Sequence, residues 1–462
     1  MHGTMVNAAT ENSDAITQSL TLERAVAIAQ QNDPWLRSSK LQQQSLEQQS
    51  IAAGTLPDPT VSLSLMNMPT NSWDFSQEGM TQLKVGVTQK FVRGDSLAIK
   101  QQQLAIESSK YPLLRENRQA KVQRTVSELW LDAYLAQQTL ALIEADRTLF
   151  LQMAEIATAN YANVIGNTKQ QDVIRAQLEL IQLDDRITVE QQKLETALAR
   201  LHEWLYVYEA SNASSAYDVN KQLTSLTVDT NLPPLVLNKP SLLKYDGYSR
   251  HALATELAGH PAVMAIDVQQ QVKQQAVKLA KQQYKPQWAV NASYGYRADT
   301  PTGDDRADLF SLGVSFDVPL FTANKQDKTV AASVAESEAV KTEKLLLIKQ
   351  MVSAVDAELK QLNRLAERQA LYQQQLLKQT HDHAEAALTA YTNDNGNFAD
   401  VVRARISELN ARISALQIDV NALKTVARIN YFLPQSSHRN INIETKTGER
   451  VSSVSAQNSG EQ

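Results

Sequence analysis

Histidine and methionine side chains are the first candidates for chemistry in this sequence. His381 and His383 lie two positions apart in a predicted helix, so their side chains point to different faces and joint metal binding is not expected. Met66 and Met68 share the polar face of a predicted strand. Their thioethers would either make soft contacts to a copper-like ion or serve as packing. The sequence predicts no resident metal site and no cofactor.

The residues needed for catalysis are missing or scattered. The chain has no cysteine, which excludes a catalytic thiol, a thiolate metal site, a disulfide and a lipid-bearing N-terminal cysteine. No nucleophile, base and acid occur together, and no glycine-rich loop could cradle a phosphate. Carboxylates are spread along helix faces, and the group Asp304, Asp305 and Asp308 is typical of a solvated loop. We predict that the protein is not an enzyme.

Overall composition narrows the classes of partner. The chain has 462 residues, a formal net charge of −5 and a pI of about 5.9, so no nucleic-acid partner is expected. No run of 18 apolar residues predicts a membrane-spanning helix. The first residues lack the basic and apolar regions of a signal peptide. If the protein is exported, we expect this to be the mature chain; composition alone leaves a cytosolic protein open.

The sequence carries a long internal repeat. Prolines and glycines recur 227 positions apart, and a Val-x-Arg-Ala motif recurs 228 positions apart. The pairs are Pro34 and Pro261, Pro59 and Pro286, Gly86 and Gly313, and Val173, Arg175 and Ala176 with Val401, Arg403 and Ala404. Such a period is too long for a solenoid. It predicts two copies of one unit that pack side by side with pseudo-symmetry.

Periodicity places the elements within each copy. Alternation of apolar and polar residues predicts strands at 60–68, 83–91, 287–297 and 308–319. Helical spacing predicts long helices over 94–164, with a kink at Pro112, and over 323–392. Each long helix is followed by a turn, near 163–168 or 393–397, and a shorter helix. The predicted divisions are a flexible N-terminus (1–20), a first repeat (21–203), an equatorial linker (204–246), a second repeat (247–433) and a flexible tail (434–462).

These elements raise two packing problems. A helix of about 70 residues is about 100 Å long and must bury its apolar stripe against other helices, so each half predicts an antiparallel coiled-coil hairpin. Four strands with one clean apolar face cannot close a barrel alone. The pattern favours one share of a transmembrane β-barrel closed by several chains. A small amphipathic sheet packed against the helices is the alternative.

Particular segments resemble the TolC family of outer membrane channel proteins over nearly the whole chain. The stretches YTNDNGNFADVVRA (391–404) and GNTKQQDVIRAQLEL (166–180) are similar to the family's two periplasmic turns. VGVTQKF (85–91) and LGVSFDVPLF (312–321) resemble its strands that lead from barrel to helix. PDPTVSLSLMNMP (57–69) resembles the subgroup that serves heavy-metal (Cus- and Czc-like) efflux systems.

The resemblance implies a fold and a set of partners. Three chains would form a homotrimer with a twelve-stranded barrel in the outer membrane of a Gram-negative bacterium and a long α-helical barrel across the periplasm. A periplasmic adaptor (membrane fusion) protein would join it to an inner-membrane RND-type pump. The chain would be a passive exit duct for heavy-metal cations. A drug or type I protein export channel of the same family is the alternative, and a soluble coiled-coil scaffold is the alternative from another class.

The resemblance also implies roles for residues at the two turns. Asp400 matches a pore-lining acidic ring, and Asp172 is its counterpart by the repeat. Arg403 stands where some relatives carry a second acidic residue, so it would pair with Asp400 or with a neighbouring chain. Tyr391 matches a tyrosine that holds the closed state by hydrogen bonding, although the family's companion arginine is replaced by Gly396. Gly166 and Gly396 are predicted to supply positive φ at the turns and to shape the adaptor contact.

Overall fold

One antiparallel sheet gathers the strands of both halves of the chain. The computed structural model describes residues 19–162, 170–206, 227–243, 249–393 and 396–434. The strands are β1 (Thr60–Met66), β2 (Gln82–Phe91), β3 (Trp288–Tyr296) and β4 (Leu309–Phe316). They lie in the order β1-β2-β3-β4, so β2 and β3 join the two repeats. The predicted strands are confirmed.

The register sorts the sheet into an apolar and a polar face. One cross-strand row contains Leu63, Val85, Tyr294 and Phe310, and the row beside it on the other face contains Ser62, Gly86, Ser293 and Ser311. The apolar face is exposed: Leu63 and Phe310 are each 70% accessible. No helix of the described residues covers it, so the alternative of a sheet packed against the helices is wrong. In one chain the outer edges of β1 and β4 have no partner strand among the described residues.

Capping residues set the helix ends of the first half. The Thr21 hydroxyl accepts from Arg24 N at 3.3 Å, and Asp33 accepts from Trp35 N at 3.0 Å, which places Pro34 in the first turn of its helix. The helices are α1 (Leu22–Asn32), α2 (Pro34–Ala53), α3 (Ser96–Ser108), α4 (Lys110–Ala162) and α5 (Gln170–Leu205).

The predicted helix over 94–164 is interrupted in its first third, close to the kink predicted at Pro112. It is divided into α3 and α4 at Ser109, three residues before Pro112. A proline ring clashes with the helical backbone that precedes it but is tolerated in a first turn. Pro112 is the third residue of α4, so the interruption falls ahead of the proline rather than on it. At 53 residues α4 is still about 80 Å long.

The second half repeats this arrangement with one irregularity. Its helices are α6 (Arg250–Leu257), α7 (Pro261–Gln282), α8 (Gln326–Leu371), α9 (Leu377–Thr392) and α10 (Phe398–Phe432). A π-helical turn at Tyr372–Leu376 joins α8 to α9 without ending the helix. The predicted helical run over 323–392 and the last helix are therefore confirmed. His260 caps α7 at the position equivalent to Asp33.

The core follows the helices in three clusters. Near the N-terminus of the described chain, Trp130 Nε1 donates to Leu20 O at 2.8 Å, and Leu20 forms a bridge with Val228. Asn238 N donates to Asn430 Oδ1 at 2.8 Å, so part of the predicted linker is fixed to the end of α10. The rest of that linker (207–226 and 244–246), the first two residues of the second repeat (247–248), the N-terminus (1–18) and the tail (435–462) lie outside the described residues. The predicted domain divisions stay predictions.

None of the described helices combines the length and the apolar character that crossing a bilayer requires.

Candidate functional site at the helix ends

The end of α9 and the start of α10 lie together at one end of the molecule, and Gly396 lies against the end of α9. Asn397 caps α10, and its side chain accepts from Ala399 N at 3.0 Å. The prediction of positive φ at Gly396 is wrong, because the positive-φ glycines of the described residues are Gly94 and Gly303. Gly396 is required for space: a Cβ there would lie 2.7 Å from Tyr391 N. Gly166, in the other turn, lies outside the described residues.

Tyr391 contributes its ring to this turn. The ring meets Phe398 edge to face, with centroids 5.6 Å apart at 63°. Its hydroxyl is buried and has no hydrogen-bond partner within the described part of one chain. A buried hydroxyl without a partner costs about 1–3 kcal/mol. The predicted hydrogen-bonded lock is therefore not formed inside one chain, and the aromatic contact is what Tyr391 supplies there.

Asp400 and Arg403 form an ion pair on the surface of α10. The Asp400 carboxylate accepts from Arg403 Nη1 at 3.1 Å. Both side chains are largely exposed, at 60% and 76%. Such an exposed pair contributes about 0.5 kcal/mol or less to the free energy of unfolding. The sequence predicts that Arg403 pairs with Asp400 or with a neighbouring chain, and within one chain it pairs with Asp400. The pairing offsets the negative charge that an acidic ring would present.

The repeat-related Asp172 has a different environment. It lies in the first turn of α5, as Asp400 lies in the first turn of α10, but it is only 7% exposed. The predicted pore role of Asp172, as the counterpart of Asp400 by the repeat, stays a prediction. The two hairpins are similar in sequence here but not in surface.

An apolar cluster fastens the two hairpins together beside the turn. Phe398 and Val402 of α10 are each 2% exposed and pack in one cluster with Ala157 of α4 and Ala176 of α5. Small residues on the first hairpin allow the aromatic and branched residues of the second to approach closely. Because Tyr391 lies at the border of this cluster, movement of the second hairpin would separate its ring from Phe398 or carry both away from α4.

Polar contacts also join the hairpins, two of them beside this cluster. Arg412 of α10 donates to Asp146 of α4 at 3.3 Å, and Arg186 of α5 donates to Asn410 of α10 at 2.9 Å. Burial raises the pKa of Asp146; Arg412 opposes this shift and Glu408 adds to it. Sequence reasoning missed both contacts, because they join positions more than 200 residues apart with no motif around them.

A second network lies between α9 and α10. Arg405 donates to Glu385 at 2.6 Å and to Glu408 at 2.9 Å, and His381 Nδ1 lies 2.7 Å from Glu408. Burial alone would raise the pKa of Glu408, but the hydrogen bonds from His381 and Arg405 outweigh it and the pKa is lowered. The hydrogen bond to Glu408 raises the pKa of His381. His381 therefore contacts a carboxylate of α10.

The described residues contain no group of three or more His, Asp or Glu side chains placed to hold a metal ion. The arrangement consists of packing and charge at the junction of two helical hairpins. Such an arrangement can be opened or closed by moving one hairpin against the other.

Comparisons with known proteins agree on the architecture. No protein-family model matches the sequence, and no curated protein matches it. Among solved structures, the outer membrane protein VceC of Vibrio cholerae matches with a TM-score of 0.70 at 13% identity, over 89% of this chain and 95% of VceC. The open state of the MtrE outer membrane channel of Neisseria gonorrhoeae matches at 0.67 and 12%, over 89% and 88%. CusC matches at 0.67 and 14%, over 91% and 95%.

These identities are low, so the likeness establishes the fold. It covers 89% to 91% of the chain and therefore takes in parts of both repeats. The chain therefore has the mixed α and β fold of the TolC-like outer membrane channels, with four antiparallel strands and long helices.

Proposed function

We propose that the protein is the outer membrane channel of a tripartite efflux pump in a Gram-negative bacterium. Three chains form a homotrimer whose barrel lies in outer membrane lipid and whose helices extend into the periplasm. The supporting observation is the sheet: its apolar face is exposed, and the outer edges of β1 and β4 have no partner strand among the described residues of one chain. Lipid covers the face, and neighbouring chains pair with the edges.

The same observation disfavours a soluble coiled-coil scaffold. Leu312, Val314 and Phe316 of β4 are 69%, 59% and 56% exposed, and the adjoining strands present apolar side chains beside them. A contiguous apolar patch of this kind on a soluble protein would promote aggregation. In a bilayer the acyl chains of the lipid cover the patch.

The proposed partners follow from the placement of the hairpins. A periplasmic adaptor protein contacts the helix ends around Gly166 and Gly396, and it connects the channel to an inner-membrane RND-type pump. The long helices α4 and α8 supply the distance that such an assembly needs. Protein export by a type I system would use the same channel, and no feature of the described residues favours it.

The proposed gate is the second hairpin. Tyr391, Asp400 and Arg403 cluster at its end, and the contacts of α10 with α4 and α5 hold it against the first hairpin. In the closed trimer, three copies of Asp400 surround the axis, and Arg403 moderates their charge. Opening moves α9 and α10 outward as one unit.

For cargo we propose heavy-metal cations. The support is the segment 57–69, which resembles heavy-metal efflux channels; the similarity to CusC, at 14% identity and a TM-score of 0.67, is close to that of the other channels and does not distinguish the cargo. The test is deletion of the gene, followed by growth on copper, silver, zinc and cobalt and on bile salts and dyes. Sensitivity to metals alone supports this cargo, whereas sensitivity to bile salts or dyes alone assigns drug export.

The channel itself is tested with purified protein. We expect extraction from the outer membrane to require detergent, the product to be a trimer, and the trimer to give discrete conductance steps in planar bilayers. A protein that stays monomeric in detergent-free buffer contradicts the proposal.

A further inference from the structure

The loop between β1 and β2, residues 67–81, is a closed arch at the end of the sheet farthest from the helices. Its base is fastened by two hydrogen bonds: Thr81 Oγ1 donates to Asn67 O at 2.8 Å, and Asn67 Nδ2 donates to Met80 O at 3.0 Å. Inside the arch, Ser76 N donates to Asp74 Oδ1 at 2.9 Å. A loop with this many internal bonds has a defined shape.

Two arginines of the neighbouring loop hold the arch. Arg306 Nη1 donates to Ser76 O at 3.2 Å and to Glu78 O at 3.3 Å. Arg297 Nη1 donates to Gly79 O at 3.2 Å. Guanidinium groups on backbone carbonyls fix the position of the chain rather than of a single side chain. The arch is therefore fixed relative to β3 and β4.

Trp73 is displayed by this fixed arch. Its side chain is among the exposed large hydrophobic groups, with 69% of the residue accessible, and its φ is +57°. The left-handed conformation is costly for a bulky side chain, so the surrounding loop must enforce it. Trp73 N donates to Pro69 O at 3.0 Å, which closes the turn that carries it. A large apolar ring that is exposed and held in a strained conformation indicates that something binds it.

An aromatic contact shows on which side of the sheet the arch lies. Phe75, two residues from Trp73, stacks on Tyr296 with centroids 6.2 Å apart at 14°. Tyr296 belongs to the apolar face, since it is paired with Leu83 of that face. Tyr294, on the same face, turns its hydroxyl to Asp308. After Tyr296 the strand ends and polar residues begin with Arg297, so the apolar face stops at the level of the arch.

We infer that Trp73 anchors the protein in the headgroup layer of the outer leaflet, binding lipid at the boundary between acyl chains and headgroups. The inference rests on the proposed function, because it requires the apolar face to lie in a bilayer. Tryptophan suits this layer, since its ring is apolar and its N–H donates a hydrogen bond. The arch continues the apolar face through Phe75 and Tyr296, so its occupant is the same lipid rather than a pore ligand or another protein.

The test measures how closely each tryptophan approaches lipid. The full-length protein is placed in nanodiscs of phosphatidylcholine that carries bromine near the headgroup end of its acyl chains, and fluorescence is compared with that in unbrominated nanodiscs. W73F, W288F and W35F are measured beside the wild type. Trp288 lies on the apolar face near the opposite end of the sheet, and Trp35 lies on α2. The loss of quenching on each substitution reports that residue.

We expect W73F and W288F each to lose part of the bromine quenching and W35F to lose none. If W288F loses quenching but W73F does not, the anchor is overturned while the membrane channel stands. If neither loses quenching, the apolar face is not in lipid, and both the anchor and the proposed function fail. Trimers of each variant in detergent provide the check that the substitution leaves the fold intact.

Discussion

Arg412 donates to Asp146 at 3.3 Å and joins the second helical hairpin to the first. The two side chains are unequally exposed: 41% for Arg412 and 11% for Asp146. The contact lies beside the apolar cluster that contains Phe398, which also includes Phe150 and Leu409, so hairpin movement must break it together with that packing. Removing either partner should therefore loosen the same joint, but with different penalties.

Arg412→Gln should destabilise the protein more than Asp146→Asn. The first change leaves a buried carboxylate without its cation, at about 2–3 kcal/mol, whereas the second leaves an arginine that water can reach, at about 1 kcal/mol. Because burial raises the pKa of Asp146, the native carboxyl binds a proton as pH falls through that pKa, and the R412Q penalty shrinks. Thermal unfolding of the trimer against pH measures both effects.

The control for this pair is Arg403→Gln. Arg403 and Asp400 are both largely exposed, so its loss should change stability by less than about 0.5 kcal/mol. Equal destabilisation by R412Q and R403Q would show that the contact with Asp146 does not hold the hairpins together.

Asp400→Ala should reduce the cation selectivity of the channel, and Arg403→Ala should increase it. In the proposed trimer, three copies of Asp400 would surround a narrow pore and attract cations, and Arg403, 3.1 Å from Asp400 within one chain, would offset each of them. Reversal potentials in planar bilayers under a salt gradient measure the selectivity. Asp304→Ala, in the loop between β3 and β4, is the matched control for loss of one carboxylate. Conductance and selectivity that do not respond to D400A would remove Asp400 from the pore lining.

Tyr391→Ala should raise the open probability of the channel, while Tyr391→Phe should leave it unchanged. The ring packs on Phe398, but the buried hydroxyl has no partner in the described part of the chain. Deleting the ring costs about 2–3 kcal/mol, and deleting the hydroxyl is neutral or slightly stabilising. Single-channel recording separates the variants. If Y391F raises the open probability as much as Y391A does, the Tyr391 hydroxyl forms a hydrogen bond with a neighbouring chain. The predicted hydrogen-bonded lock would then exist between chains.

Local signals were sufficient for most elements. Alternation identified all four strands, because a sheet with one apolar face requires apolar residues at every second position of each strand. The helix ends at Thr21 and Pro34 depend on capping and on the missing proline N–H, which are likewise local effects. The repeat identified the second half from the first.

Tertiary packing explains the features of the site that the sequence did not predict. Asp172 and Asp400 occupy equivalent positions in sequence, yet packing buries only the first. Gly396 is needed for a close approach to Tyr391, which composition cannot distinguish from a positive φ. The partners of Arg412 and Arg186 lie in the other hairpin, and a single sequence carries no signal for such pairs.

Stability of the second hairpin should be greatest at mildly acidic pH. The pKa of His381 is raised in the folded state, so its contribution is complete below its ordinary value of 6.5 and is lost as pH rises through the raised pKa. The pKa of Glu408 is lowered, so its contribution is present above its ordinary value of 4.5 and is lost as pH falls through the lowered pKa. The window between them is the optimum.

His381→Gln tests this dependence. Its thermal midpoint should fall below that of the wild type in the mildly acidic window and approach it at alkaline pH, where the wild-type imidazole is neutral. His383→Gln is the control, since it removes a histidine two residues away. A constant difference between H381Q and wild type at every pH would contradict the pairing with Glu408.

Gly396→Ala should destabilise the turn although its φ is not left-handed. The new Cβ would lie 2.7 Å from Tyr391 N and 2.9 Å from Ala390 C, both backbone atoms that cannot swing aside. Relieving the clash requires the end of α9 to shift, at a cost of about 1–3 kcal/mol, and the shift draws Tyr391 from Phe398. Gly79→Ala is the matched control, because a Cβ there meets nothing within 4 Å. G396A should therefore lower the unfolding temperature and also raise the open probability. If G396A lowers the unfolding temperature but leaves the open probability unchanged, the turn does not control the gate.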